Sequence, residues 1–156
     1  MKLQCDEMLA SLARWLRAAG YDSALVPAGT PDADLLADCL REERRLITRD
    51  CALAAAAEPL IAVLWLPDRS IDDQARLLAH EAGIDWLHAP FTRCLADNAR
   101  LQAAPARAVE APPPFDARPG DIHECPACRR VYWPGGHVRR MRAQLGRWRA
   151  ASERRA

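Results

Sequence analysis

Two kinds of metal donor recur in this sequence at spacings that chemistry can use. Cys125 and Cys128, in "HECPACRRVYWPGGH", form a Cys-x-x-Cys pair followed by two aromatics and a glycine turn. Structural zinc takes four tetrahedral nitrogen or sulfur donors, most often from two such pairs, so half of a zinc site is visible. The second kind of donor is carboxylate: Asp6, the pair Asp32 and Asp34, and Asp50. Carboxylates brought together repel one another unless a hard divalent cation compensates them, and Mg²⁺ or Mn²⁺ prefers oxygen donors. A cation held in this way can lower the pKa of a bound water and neutralise charge on a phosphodiester.

Those acids need elements that bring them together. "KLQC" reads as a short strand ending at Asp6, and Met8, Leu9, Leu12, Trp15, Leu16 and Ala19 recur at helical spacing until Gly20. "YDSALVP" suits a second strand. "TPDADLLADCLREERR" opens with capping residues and gathers Leu35, Leu36, Cys39 and Leu40 on one face. "RLIT" is a buried strand, "CALAAAAE" a short helix, "IAVLWL" the most convincing strand, and "SIDDQARLLAHEAG" an amphipathic helix closed by Gly83. Strand and helix alternate four times, which predicts an α/β fold with a parallel sheet and helices on both faces. In such sheets ligands bind beyond the carboxyl ends of the strands, where Asp6, Asp32, Asp34 and Asp50 all fall. Each of the last three also suits a helix N-cap. Asp6 is harder to explain that way, because an acid directly after a buried strand is costly without a partner.

Beyond residue 90 the alternation stops. "APARAVEAPPPFDARPGD" is proline-rich and aperiodic, a linker or extended loop between two cysteine-bearing stretches, as in a zinc ribbon. The final "RRMRAQLGRWRAASERRA" reads as a basic, weakly helical tail that frays. The predicted organisation is therefore an α/β domain over 1–90, a zinc-ribbon-like module over 91–141 and a basic tail over 142–156. Charge divides along the same line: residues 1–90 hold nine Lys or Arg against fifteen Asp or Glu, and residues 91–156 hold thirteen against six. An acidic front that binds cations and a basic back that meets polyanions fit one another.

With 156 residues, half of them apolar and 28% charged, the chain is globular rather than disordered. No apolar run approaches the roughly 20 residues that span a bilayer. The acids of "MKLQCDEML" stand where a signal peptide would be apolar, which predicts a cytoplasmic protein with cysteines as metal ligands or free thiols. Cys5, Cys39 and Cys51 are expected to be small buried residues. Trp15 is expected in the core, and Arg14 and Arg17 on the surface.

"CDEMLASLARWLRAAGYDS", "DADLLADCLREERRLITRD", "TRCLADN" and "CPACRRVYWPGGH", in that order, resemble the mut-seven C-terminal RNase domain family over roughly residues 1–141. The resemblance implies a PIN-like three-layer nuclease fold with a zinc ribbon and Mg²⁺- or Mn²⁺-dependent hydrolysis of RNA. Carried over by position, it implies metal-binding and catalytic roles for Asp6, Asp32 and Asp50, with Asp34 assisting. It makes Arg49 a phosphate contact and matches Asp68 loosely to a fourth acid. The family's first zinc pair reads Arg-Cys-x-x-Cys-Asn, whereas this chain has Arg93, Cys94, Leu95, Ala96, Asp97 and Asn98. Three outcomes are open. Asp97 or a water completes a zinc site with Cys94, Cys125 and Cys128; His123 or His137 does so; or the ribbon holds no zinc.

Tyr132 and Trp133 can stack on unpaired bases or cover the small metal core. Arg129, Arg130, Arg139, Arg140 and Arg142 form a basic stripe near them that suits RNA phosphates. The leading expectation is a metal-dependent ribonuclease acting on single-stranded RNA. The alternative is a non-catalytic RNA-binding adaptor with a degenerate nuclease fold, and a pure zinc-ribbon interaction module is the weakest reading.

Overall fold

The computed structural model describes residues 1–104 and 119–153. Most of the expected linker, 105–118, lies outside them. The elements run β1 (Lys2–Cys5), a 3-10 turn (Glu7–Leu9), α1 (Ala10–Ala18), β2 (Asp22–Leu25), α2 (Asp32–Glu42), β3 (Arg45–Thr48), α3 (Cys51–Ala57), β4 (Val63–Trp65) and α4 (Ile71–Ala82). There follow β5 (Gln102–Ala103), β6 (His123–Glu124), β7 (Val131–Tyr132) and α5 (Gly136–Glu153). Strands β1 to β4 form a parallel sheet in the order β2-β1-β3-β4, and β5-β6-β7 a small antiparallel one. Among the described residues no helix is long and apolar enough to cross a membrane.

The α/β alternation read from the sequence holds from β1 through α4. Successive strand residues face opposite ways, so a sheet covered on both faces must bury both members of each pair. Leu46 and Ile47 of β3 do this. Leu46 joins a core with Val26, Leu35, Cys39, Leu53 and Ala57, from the α2 and α3 side. Ile47 joins a larger core with Leu3, Leu12, Leu16, Leu78 and Trp86, from the side of α1 and α4. Strand β4, read as the strongest, is short and lies at the sheet edge, with Trp65 45% exposed. Met8 and Leu40, placed on apolar stripes by spacing, are exposed, Met8 in the 3-10 turn that precedes α1.

The expected fraying tail is instead α5, and it seals the larger core. Met141, Leu145 and Trp148 stand one helical turn apart and are all buried. The Trp148 ring lies 4.8 Å from both Trp15 and Trp86, and its Nε1–H donates to Asp72 Oδ1 at 2.6 Å. Five exposed arginines between 139 and 149 lie on the other faces of α5 and hide this stripe in a composition-based reading.

Residues 84–98 fasten the C-terminal region to the first. The N–H groups of Ala89 and Phe91 donate to the carbonyls of Ala19 and Ala18 at the end of α1. Gly20 permits this approach. Its φ is +98°, and a Cβ there would fall 2.2 Å from the Ala89 carbonyl oxygen. Arg17, expected on the surface, is buried. Its Nε donates to Ser23 O at 2.8 Å, and its Nη1 donates to Leu95 O at 3.2 Å and Ala96 O at 2.7 Å. A guanidinium can replace water only where fixed carbonyls stand ready, and helical spacing does not reveal them. Arg17→Met should therefore cost about 2–4 kcal/mol by leaving three carbonyls short of a donor. Urea unfolding of the two proteins measures this, and equal midpoints would contradict the clamp.

Candidate functional site

Asp6 directly follows β1, and its own N–H extends the ladder by donating to Ile47 O at 3.0 Å. The residue is only 7% exposed. Its Oδ1 accepts from the Glu7 N–H at 2.7 Å, and its Oδ2 accepts the hydroxyl of Thr48 at 2.7 Å. Thr48 is fully buried at the end of β3, and its oxygen accepts in turn from the Asp50 N–H at 3.0 Å. One hydroxyl has one proton, so spending it on Asp6 leaves a lone pair to fix the turn into Asp50. Thr48 is the residue that the sequence reading passed over. The signal was its place two residues before Asp50 at the end of an apolar strand.

Asp50 caps α3. Its Oδ1 accepts from the N–H groups of Ala52 at 2.7 Å and Leu53 at 3.1 Å, while its Oδ2 carries no hydrogen bond among the described residues. Asp6 and Asp50 thus end neighbouring strands, β1 and β3. The chain leaves β1 toward β2 on one side and returns to β3 on the other, so this is the switch point of the sheet, the place where α/β folds of this kind bind ligands.

Asp32 and Asp34 lie in the exposed first turn of α2. Pro31 occupies the cap position with no side-chain bond, so the capping explanation fits Asp50 but neither of these. Neither acid makes a side-chain hydrogen bond or ion pair among the described residues. The loop leading to α2 is tied to the end of β1, because Glu7 Oε2 accepts from the Gly29 N–H at 2.7 Å. Arg49 pairs with the exposed Asp68. The Arg49 Nε is buried without a hydrogen-bond partner.

Among the described residues, the one group of three or more Cys, His, Asp or Glu side chains with donor atoms all within 4.8 Å is Cys94, Asp97, Cys125 and Cys128. Asp6, Asp32, Asp34 and Asp50 do not meet that criterion together. Mg²⁺, however, commonly takes one or two carboxylates and keeps several waters. Asp6 and Asp50, with hard oxygen donors at adjoining strand ends, fit it in donor type and number.

The cysteine group is built from two copies of one turn. The Cys94 N–H donates to Ala99 O, and the Asn98 N–H to Cys94 O. In the same pattern the Cys125 N–H donates to Arg130 O, and the Arg129 N–H to Cys125 O. Asn98 and Arg129, the fourth residue after each cysteine, both take the left-handed conformation, with φ of 72° and 63°. By this equivalence Asp97 stands where Cys128 stands in the other turn. Its two oxygens lie 3.3 and 3.2 Å from Cys125 Sγ, and Cys94 Sγ lies 3.6 Å from Cys128 Sγ. Tetrahedral zinc with sulfur at about 2.3 Å separates its donors by roughly 3.5–3.8 Å, so the group can hold a metal ion and suits zinc.

The histidines are engaged elsewhere, His123 with the Asp121 carbonyl and His137 with Arg14. No cysteine is in a disulfide. Cys5 and Cys39 are buried as expected, whereas Cys51, in the first turn of α3, is exposed.

The charges of this group are already partly set. Burial pushes the Asp97 carboxyl up, but hydrogen bonds from Cys128, the Ala99 N–H and Cys125 outweigh it and hold Asp97 well below the usual carboxylate range. Burial also raises the Cys94 thiol, yet the Tyr132 hydroxyl and the N–H groups of Asp97 and Ala96 bring it down. The carboxylate of Asp97 pushes Cys128 up to about 12. If Asp97 is a ligand, a softer donor in its place should strengthen the site. Asp97→Cys is expected to tighten zinc roughly tenfold or more, read by competition with a chromophoric chelator. An unchanged affinity would exclude Asp97 from the metal's ligands.

Of the expected RNA-binding arginines, Arg129 pairs with buried Glu124 at 2.7 Å, which commits it to the fold of its turn. Arg130, Arg139 and Arg140 are exposed, as is Trp133, while Tyr132 is half-buried with its hydroxyl on Cys94 Sγ.

The turn also fastens itself to the sheet. Asp22 of the edge strand β2 accepts from Arg44 at 2.7 Å and Asn98 at 2.8 Å, and Asn98 Oδ1 accepts from the Ser23 N–H. Comparison with protein-family models matches residues 1–145 to the Mut7-C RNAse domain. No curated protein and no solved structure matches the chain.

Proposed function

The chain belongs to the Mut7-C RNAse domain family, and on that premise we propose that it is a metal-dependent ribonuclease that hydrolyses phosphodiester bonds of single-stranded RNA. In this reading residues 1–90 form a PIN-like nuclease unit and residues 91–141 a zinc-ribbon-like module. Asp6 and Asp50 hold Mg²⁺ or Mn²⁺, with Asp32 and Asp34 at the mouth of the same crevice. The observation that carries the proposal is the Asp6–Thr48–Asp50 relay at the switch point of the sheet.

A divalent ion there supplies Lewis acidity and charge neutralisation to an attacking water and a scissile phosphate. The chain's own groups do the rest. Thr48 donates its only proton to Asp6 Oδ2 and the Glu7 N–H donates to Oδ1, which together fix the carboxylate's orientation at the strand end. Asp50 spends one oxygen on α3 and keeps the other for the crevice. Arg49, next in chain, suits a phosphate oxygen through its guanidinium fork, exchanging the exposed Asp68 for substrate. No side chain need act as nucleophile.

Incubating the protein with a labelled single-stranded RNA and Mn²⁺ tests the proposal. Cleavage that stops when the divalent ion is removed supports it. Strand binding without cleavage under any divalent ion would favour the adaptor reading instead.

A further inference from the structure

A groove of about 600 Å³ opens where α1, the Cys94 turn and the start of α5 meet. Leu95, Val131 and Val138 supply apolar wall, and Trp133 faces the groove with its indole 40% exposed. The indole lies against Gly135. The Gly135 N–H donates to Trp133 O at 2.7 Å, and any Cβ on Gly135 would strike the Trp133 Nε1 at 2.7 Å. What distinguishes this exposed ring is its setting, beside apolar wall and two guanidiniums in one groove.

The rim carries only positive charge. Arg14 and Arg130 line the groove, and its lining contains no Asp or Glu. Arg14 Nη2 lies 2.9 Å from His137 Nε2, a ring nitrogen with no negative charge to cancel that of the guanidinium. Arg130 forms no ion pair among the described residues. Gly136 and His137, at the start of α5, also line the groove. A flat apolar wall beside unneutralised guanidiniums suits a ligand that is planar at one end and anionic at the other.

We infer that this groove seats one unpaired nucleotide of the RNA strand, its base against Trp133 and its phosphate between Arg14 and Arg130. The identity of the strand rests on the ribonuclease reading above. The groove would act as an anchoring subsite that positions single-stranded RNA away from the acidic crevice, and a base locked in a duplex could not enter it.

The test is fluorescence anisotropy with a short labelled oligoadenylate RNA and the full chain, in an Asp6→Asn background so that the strand stays intact. Trp133→Ala should weaken binding about tenfold, Trp133→Phe should restore most of it, and Arg14→Gln should weaken it and flatten its salt dependence. The same sequence presented as a duplex should bind less tightly. Unchanged binding by Trp133→Ala, or equal affinity for the duplex, would overturn the subsite. Metal-dependent cleavage by the wild-type chain alongside unchanged Trp133→Ala binding would sink the subsite and leave the enzyme standing. Trp133-dependent binding without any cleavage would do the reverse.

Discussion

Asp6→Asn should lower Mn²⁺-dependent cleavage of single-stranded RNA by roughly a thousandfold or more, a loss of the size seen when a charge-stabilising group leaves an active site. Folding should barely change. An asparagine has nearly the shape of aspartate, and its amide oxygen can still accept from either Thr48 or the Glu7 N–H, the two donors that hold Asp6. What it lacks is the negative charge that a hard cation requires. Asp50→Asn is the sharper companion. Asparagine is as good an N-cap as aspartate, so α3 should keep its start on Ala52 and Leu53. Cleavage should nevertheless fall with it. Loss of activity with retained melting temperature in both variants separates a cation-binding role from a structural one. Activity retained in both would leave the acids as strand-end and capping residues.

Cys125→Ser should abolish tight zinc binding and lower the melting temperature by on the order of 10 °C, because structural zinc contributes its binding free energy to folding. Cys125 is buried at the centre of its turn, and hydroxyl oxygen is a poor substitute for thiolate. The loss should not stay local. Arg17 joins the carbonyls of Leu95 and Ala96 to α1, and Asn98 joins the same turn to Asp22 and Ser23 of β2.

Metal binding should also be pH-dependent in a definite direction. The Cys125 and Cys128 thiols are both pushed up, Cys128 to about 12, and must lose protons to ligate. Affinity for zinc should therefore fall as pH falls from about 8 to about 6, with protons released on binding. Asp97 works the other way. Its carboxyl is depressed, so its contribution is present above the ordinary carboxylate range and disappears only as pH falls well below that range. Calorimetry in buffers of different ionisation enthalpy reads the released protons. Binding that ignores pH would contradict a thiolate site.

Much of this was legible in the sequence because periodicity is a local signal. Strands β1 to β3 and helices α1 to α4 fall where apolar spacing placed them, and so Asp6 and Asp50 fall at neighbouring strand ends. The cysteine turn was legible through spacing too, since Asp97 follows Cys94 by the same interval as Cys128 follows Cys125. Other features depend on partners far away in the chain. Arg17 looks like a surface arginine until the carbonyls of Ser23, Leu95 and Ala96 are seen around it. Thr48 looks like a strand residue until its proton is traced to Asp6. The stripe of Met141, Leu145 and Trp148 has ordinary helical spacing, but arginines surround it and an isolated helix this basic would not hold. Its stability comes from Trp15 and Trp86, which only the folded chain presents.

The acidic crevice is the part of the account on which the activity depends, and locating Mn²⁺ by anomalous X-ray scattering from crystals grown with that ion tests it most directly. A peak is expected at the carboxyl end of the sheet, within ligand distance of carboxylate oxygens from both Asp6 and Asp50. Manganese found only elsewhere, with those two side chains still turned to Thr48 and the start of α3, would contradict it.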